Sequence, residues 1–199
     1  MRRRPTVIVF AKAPMLGAVK TRLARDVGQL AAWRFHRRAL AVALRRLGGD
    51  RRWRTVLALT PDRLAGRVRV TPHAGNRLAQ GRDDLGRRMA RALERFQPAP
   101  VLLVGGDIPA MRPGHVAEAL RRLAGAQVVF GPAEDGGYWL VGIRGRRRAE
   151  HLFRNVRWSS RDALADSLAN LHPGERVALA ATLFDVDRGA DLGRCRDDR

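Results

Sequence analysis

The sequence predicts an α/β fold built on a mostly parallel mixed sheet, and three observations carry that prediction. Short apolar runs bounded by Gly and Pro alternate with longer segments whose large apolar residues recur at helical spacing, the pattern of strands and the helices that cover them. The runs Val7–Phe10, Val101–Val104 and Val128–Phe130 each lead into Gly-rich or charged residues at their C-terminal ends, and in open α/β sheets that edge is where ligands bind. A further apolar run, Tyr138–Ile143, follows Val128–Phe130 too closely for a crossover helix, so the sheet is expected to contain an antiparallel excursion.

The elements follow in order. After the first strand and its loop, residues 29–47 carry Leu30, Trp33, Leu40, Leu44 and Leu47 at helical spacing, with arginines between and Gly48-Gly49 as the stop; Trp33 is expected in the core. Thr55–Thr60 reads as the second strand, and residues 62–80 as a short helix with a short strand around Val68 and Val70. Asp83 or Asp84 is placed to cap a helix with Leu85, Met89, Leu93 and Phe96 on one face. A strand over 101–105 comes next, then a helix after Pro113 with Val116, Leu120 and Leu123 inward. Helices near 149–154 and at 161–171, a strand around 177–183 and a last short helix within 185–195 complete the chain. Trp158-Ser159-Ser160 reads as a packed indole followed by a helix cap.

A length of 199 residues suits one domain with its own core. The single cysteine, Cys195, cannot make an internal disulfide, and a reducing cytoplasm is the expected location. Met1-Arg2-Arg3-Arg4 precedes an apolar run, yet Lys12 and Lys20 interrupt it and no small-residue cleavage pattern follows, so a signal peptide is not expected. No apolar stretch reaches the ~18–20 residues of a membrane span. The formal charge is +20, and of 39 basic residues all but Lys12 and Lys20 are arginine. Such a skew fits a GC-rich genome filling surface positions with Arg. The resulting field attracts phosphates and anionic small molecules, but no helix-turn-helix, zinc-finger or aromatic-basic strand pattern accompanies it, so specific nucleic-acid binding is not expected. The five histidines lack metal-ligand spacing and the three serines lack a nucleophile-elbow context, which argues against a zinc site and a hydrolase triad.

The residues suited to chemistry sit at the strand ends. Both lysines fall in the loop after the first strand, where Gly17, Lys20, Thr21 and Arg22 precede a helix. Backbone N–H groups and cations at such a junction hold phosphate. The loop is not a P-loop, because no second glycine directly precedes a Lys-Ser/Thr pair; an ordinary basic turn is the plain alternative. Asp107 follows Gly105-Gly106 and is clamped by Ile108-Pro109. A lone carboxylate there suits Mg²⁺, which takes one or two carboxylates plus phosphate oxygens; otherwise it is a cap acid. Asp185 and Asp187 stand two apart and share one side of an extended segment, unless both are solvated loop acids. Asp135, beside Gly136-Gly137, is placed either to orient a substrate hydroxyl or assist a metal, or to close a turn.

Together, Phe10-Ala11-Lys12-Ala13-Pro14, Gly17, Lys20-Thr21-Arg22-Leu23, Gln80-Gly81, Asp84-Leu85-Gly86-Arg87-Arg88-Met89, Gly106-Asp107-Ile108-Pro109, Gly131-Pro132, Asp135-Gly136-Gly137-Tyr138, Trp158-Ser159 and Asp185-Val186-Asp187 resemble the DUF2064 family. These are small GT-A-type proteins often labelled glycosyltransferases or radical-SAM-associated transferases. More distantly, the Lys-Thr-Arg-Leu loop and the Gly-Asp-x-Pro acid resemble 2-phospholactate and molybdenum-cofactor guanylyltransferases. The resemblance spans nearly the whole chain. It implies a three-layer α/β/α nucleotide-diphospho-sugar transferase (GT-A, Rossmann-like) fold, with a nucleotide half followed by an acceptor half. It also implies that Lys20, Arg22 and Asp107 are catalytic, and that Ala11, Lys12, Gly17, Lys20, Arg22, Gln80, Gly81 and Gly106 surround the nucleotide. Asp135, Gly136, Gly137, Tyr138, Trp158 and Ser159 would meet the substrate, and Asp107 with Asp187 would bind Mg²⁺ or Mn²⁺. Related transferases follow the last acid with Thr-Pro-Glu-Asp-Leu; here Arg188-Gly189-Ala190-Asp191-Leu192 stands instead, which alters the helix start.

Two reactions suit this fold, and fold alone does not choose between them. In nucleotidyl transfer, an acceptor phosphate attacks the α-phosphate of a nucleoside triphosphate and pyrophosphate leaves. In glycosyl transfer, a nucleotide sugar gives its sugar to a small acceptor while the metal holds the departing diphosphate. The Lys/Arg loop favours the first, because a triphosphate there needs cations. A glycosyltransferase Asp-x-Asp belongs mid-chain, where this sequence has Gly105-Gly106-Asp107, and the literal Asp-x-Asp lies at 185–187. The family's labels favour the second. A non-catalytic protein that binds nucleotide or nucleic acid is the remaining expectation.

Overall fold

The computed structural model describes residues 4–68 and 76–195. Its strands are β1 (Thr6–Lys12), β2 (Arg54–Thr60), β3 (Asn76–Ala79), β4 (Val101–Gly105), β5 (Val128–Pro132), β6 (Tyr138–Ile143) and β7 (Val177–Leu179). They form one seven-stranded sheet in the order β3-β2-β1-β4-β6-β5-β7. β1 lies between parallel partners β2 and β4, and β3 extends the parallel set beyond β2. β6 runs antiparallel to both β4 and β5, and β7 is again parallel to β5. A single reversed strand therefore supplies the antiparallel excursion.

Side chains along each central strand alternate between two cores, which is why the strand sequences are apolar throughout. On β1, Val7, Val9 and Ala11 enter one core and Ile8 the other; on β4, Leu102 and Val104 part from Val101 and Leu103 in the same way. The first core is covered by α2 (Gln29–Gly48) through Leu40, Leu44 and Leu47, and by α4 (Pro113–Ala124) through Val116 and Leu123. The second is covered by α3 (Leu85–Glu94) through Met89 and Leu93, and by a short 3₁₀ turn at Glu150–Phe153. Helices thus flank the sheet on both faces, making three layers.

Several local expectations change. Asp84, not Asp83, caps α3, its carboxylate accepting from Arg87 N at 2.9 Å. Leu30 is 50% exposed at the start of α2, and Trp33 is only half-buried, its indole N–H donating to the Pro14 carbonyl at 2.9 Å. The first turn of α2 thus leans over the β1 loop rather than the sheet. Val68 is irregular and packs on the first core; Val70 lies outside the described residues, and the strand of this region is β3. The helix at 149–154 is a single 3₁₀ turn, and that at 161–171 contracts to α5 (Ala163–Ala169). α1 (Thr21–Val27) precedes α2, and α6 (Asp191–Arg194) ends the described chain. No helix among the described residues is long and apolar enough to cross a membrane.

β6 approaches β4 and β5 closely at Gly142. A Cβ there would lie 2.2 Å from Leu102 Cδ2 and 2.8 Å from Val129 Cγ1, and neither neighbour has space to yield in a packed interior. Gly142→Ala is expected to lower the unfolding free energy by about 1–3 kcal/mol, the range for overpacking, measured by urea denaturation.

Candidate active site

The parallel register brings the C-terminal ends of β2, β1 and β4 side by side, and a cleft of about 480 Å³ opens there. Its wall includes Ala11, Lys12, Lys20, Arg22, Gln80, Gly106, Asp107, Ser159 and Asp187, nine positions singled out in the sequence. At one end the Lys20 Nζ lies 2.7 Å from Asp107 Oδ2 and 3.0 Å from Asp187 Oδ1, with its side chain only 7% exposed. Arg22 Nη1 is 3.0 Å from the other oxygen of Asp187. Burial disfavours the charged form of Lys20, but the two carboxylates outweigh it and hold the ammonium charged far above the ordinary lysine range. Asp187 is held below the usual carboxylate range, because Lys20 and Arg22 together exceed the opposing effect of burial. Asp185 goes the other way. Burial pushes it up to about 6, and the nearby carboxylates of Asp187, Asp135 and Asp107 reinforce the rise against Lys20.

Lys20 adopts left-handed backbone angles, φ 47° and ψ 48°, immediately before α1. A non-glycine residue there costs of order 1 kcal/mol. The flanking Val19 and Leu23 are buried and fix the chain on either side. The altered tail after Asp187 finds its own anchors. Asp191 Oδ2 accepts from the N–H groups of Asp187 at 3.0 Å and Arg188 at 2.8 Å, and Gly189 N donates to Asp26 on α1 at 2.8 Å. Asp187 is thereby held toward Lys20 without the Thr-Pro-Glu sequence of related transferases.

The remaining predicted nucleotide contacts divide. Lys12 is exposed at the end of β1, and its carbonyl bonds to Nε2 of His36, a buried residue of α2, at 3.0 Å. Since a carbonyl only accepts, that ring nitrogen carries the hydrogen. Gly106 owes its size to packing, because a Cβ would lie 2.9 Å from Leu40 Cδ1 and 3.0 Å from Ala11 Cβ. Gly17 and Gly81 do not line the cleft. Gly81 N donates to Asp62 Oδ1 at 3.0 Å, on the wall of an adjoining cavity of about 510 Å³.

Of the residues expected around the second substrate, only Ser159 lines the cleft. The Asp135 Oδ1 accepts from Gly137 N at 2.9 Å, closing the turn. Gly136 has φ 88°, and a Cβ on it would sit 2.0 Å from the Arg161 carbonyl oxygen; the Gly136 carbonyl accepts from Leu164 N at 3.1 Å. The protein's own backbone fills the space that the sequence suggested for a ligand. Tyr138 and Trp158 pack ring to ring at 6.4 Å in the second core, with the Tyr138 hydroxyl 3.3 Å from Ser167 Oγ. Ser159 is left-handed at φ 61°. Its loop is fastened by Arg157, which donates from N, Nε and Nη2 to the Asp166 carboxylate at 2.8–3.0 Å and holds that carboxyl down to about 2. Ser160 accepts from Asp162 N at 3.1 Å, while Asp162 itself stands at the start of α5.

Arg88, His36 and Thr60 also line the cleft, and none of them was given a role beforehand. The spacing that puts Arg88 one turn after Leu85 on α3 marks it only once the cleft is known.

The donor set suits a divalent cation completed by substrate. Asp107 and Asp187, 30% and 34% exposed, face a common point bridged by the Lys20 ammonium. Among the described residues, no three His, Cys, Asp or Glu side chains form a metal-holding group by themselves. Two carboxylates plus phosphate oxygens match the habit of Mg²⁺ and Mn²⁺. Lys20→Met leaves those carboxylates facing each other without their bridging charge. It is expected to cost about 1–2 kcal/mol, below the usual loss for a broken buried pair because the acids are partly solvated. Millimolar Mg²⁺ should restore more stability to the variant than it adds to the wild type, read from paired thermal unfolding midpoints; equal responses would remove the two acids as a cation site.

No curated protein matches the chain. A solved structure from Desulfovibrio desulfuricans G20, which bears the provisional name nucleotide-diphospho-sugar transferase, is similar with TM-score 0.82 and 27% identity over 94% of this chain and 84% of that one. CMP:2-keto-3-deoxy-manno-octonic acid synthetase complexed with CTP is similar with TM-score 0.54 and 13% identity, over 98% of both chains. Glucosyl-3-phosphoglycerate synthase from Mycobacterium tuberculosis, in complex with Mg²⁺ and UDP, is similar with TM-score 0.50 and 13% identity over 98% of this chain and 76% of that one. The fold is that of the nucleotide-diphospho-sugar transferases, a Rossmann-like α/β fold. A family model described as "Uncharacterized protein conserved in bacteria (DUF2064)" matches residues 43–160, more than half of the chain, and the protein belongs to that family.

Proposed function

We propose that this protein is a transferase that moves a nucleotidyl group from a nucleoside triphosphate to a small phosphorylated acceptor, with Mg²⁺ or Mn²⁺ as cofactor. The observation that supports this reading is the arrangement of Lys20, Arg22, Asp107 and Asp187 at the C-terminal edge of the sheet. Two carboxylates and two cations within ion-pair distance suit a polyphosphate that brings its own metal.

Asp107 and Asp187 would hold the divalent ion together with phosphate oxygens. When bound, the ion supplies Lewis-acid neutralisation of phosphate charge. Lys20 and Arg22, both paired with Asp187 here, would be the cations that meet the phosphates. The acceptor's phosphate oxygen attacks the α-phosphorus, the bond from that phosphorus to the bridging oxygen breaks, and pyrophosphate leaves with the electron pair. Lys20 and Arg22 neutralise the charge that builds on the departing group. Ser159, exposed on the cleft wall, is offered to the acceptor. The protein's contribution is position and electrostatics rather than a covalent intermediate.

A second reading, glycosyl transfer from a nucleotide sugar, is supported by the name of the Desulfovibrio structure and by the UDP complex of the mycobacterial synthase. The charge requirement separates the two. A triphosphate needs Lys20 and Arg22 together, whereas a diphosphate on the metal needs less cation.

Thermal-shift titration with Mg²⁺ plus each nucleoside triphosphate and each common nucleotide sugar tests the choice. Saturation at 100 times Kd stabilises the native state by about 2.7 kcal/mol. One triphosphate is expected to give the largest shift. Asp107→Asn should remove its Mg²⁺ dependence, and the Lys20→Ala, Arg22→Ala double variant should lose far more affinity for the triphosphate than for its nucleoside. A preference for a nucleotide sugar would transfer the assignment to glycosyl transfer, and silence throughout would overturn both.

A further inference from the structure

Gln80 was expected to touch the nucleotide, yet its side chain is turned inward. It is 3% exposed and follows β3, on the opposite side of β1 from Asp107. Its Nε2 donates to the carbonyls of Ala11 at 2.9 Å and Ala58 at 3.0 Å, and its Oε1 accepts from Arg88 Nη1 at 2.9 Å. The amide cannot be reversed, since its oxygen would then oppose two carbonyl oxygens. The oxygen is therefore fixed toward Arg88.

Arg88 is half-buried on α3 and lines both the cleft and the adjoining cavity. Its other bond is from Nε to the Asp84 carbonyl at 3.3 Å. Lys20 and Arg22 are paired with carboxylates, as are Arg87 and Arg91 on the same helix as Arg88. Arg88 has no acid partner among the described residues. A guanidinium carries five N–H groups in a rigid fork that matches phosphate oxygens in pairs, and the two bonds to neutral oxygens leave most of that fork uncommitted. Gln80 thus aims the cation without neutralising it, as an acid in its place would.

We propose that Arg88 binds a phosphate oxyanion of the nucleotide from the side of the cleft opposite Lys20, and that Gln80 is the positioning residue that aims it. The proposal rests on reading the cleft as a nucleotide site. The triphosphate is then gripped from both flanks of β1, by an ammonium on one side and a pre-aimed guanidinium on the other.

Isothermal titration of the full-length protein with Mg²⁺ and three probes tests this: the triphosphate giving the largest thermal shift, its nucleoside, and inorganic tripolyphosphate. Arg88→Met should weaken triphosphate and tripolyphosphate about ten- to hundred-fold, the value of a charged hydrogen bond, and leave the nucleoside unchanged. Arg88→Lys should recover part of the loss. Gln80→Met should weaken the same two probes, and the double variant should bind no worse than Arg88→Met alone, since both act through one contact. If Gln80→Met does not fold, the two Arg88 variants carry the test, because they leave both Gln80 bonds to the strand carbonyls in place. Triphosphate binding indifferent to Arg88, or nucleoside loss equal to triphosphate loss, overturns the proposal while the nucleotide reading stands. Additive losses remove Gln80's aiming role. Arg88-dependent tripolyphosphate binding without any nucleotide binding does the reverse, overturning the nucleotide reading and keeping the anion contact; no binding of any probe overturns both.

Discussion

The Lys20 ammonium sits between two carboxylates carried by distant parts of the chain, Asp107 beyond β4 and Asp187 in the C-terminal segment, 167 residues away. Its own backbone is held left-handed to reach them. Neither side of this arrangement is stable by itself. Without the acids a lysine buried to this depth would tend to lose its proton, and without the lysine the acids would face one another at short range. Asp191 and Asp26 fasten the tail that brings Asp187 in. The shape of the cleft floor is thus set by charge balance, with the apolar sheet beneath it supplying the rigid platform.

That balance gives the overall charge and the local charge different tasks. A protein of net charge +20 draws phosphates from a distance. At the cleft, however, Asp107 and Asp187 stand on the wall, and Asp185 lies near enough to both, and to Asp135, to feel their charge. An anion arriving there meets carboxylates as well as cations. Attraction over the surface is screened within about 8–10 Å at ordinary salt, so in the proposed reading the arginine field would govern arrival, and the paired groups at the cleft would govern what stays.

The sheet was legible in the sequence because its central strands are buried on both faces and read as unbroken apolar runs. That Lys20, Arg22 and Asp107 stand together at one cleft was legible because each lies at the C-terminal end of a central strand or in the loop that follows it. The same logic failed for glycine. Gly136 accepts close backbone approach from Arg161, and the sequence signal for that is identical to the signal for close approach of a ligand. Gln80 lines the cleft, but its amide is turned to two carbonyls, of Ala11 and Ala58, that only the fold reveals. Arg88 stood inside a quoted motif but was given no role, one arginine among 37. Leu30 kept the helical period but stands where α2 has already passed the edge of the sheet.

β4 separates two groups of strands that share no other neighbour: β1, β2 and β3 on one side, β6, β5 and β7 on the other. The first loop, Gln80 and Arg88 belong to the first group, and the turn at 133–137 belongs to the second. The segment after β7 nevertheless crosses back to the first group: Val186 is buried with Leu23 and Ala32, and Asp187 reaches Lys20. A change in that returning segment is therefore felt at the loop after β1, so two stretches of chain far apart in sequence behave as one mechanical unit.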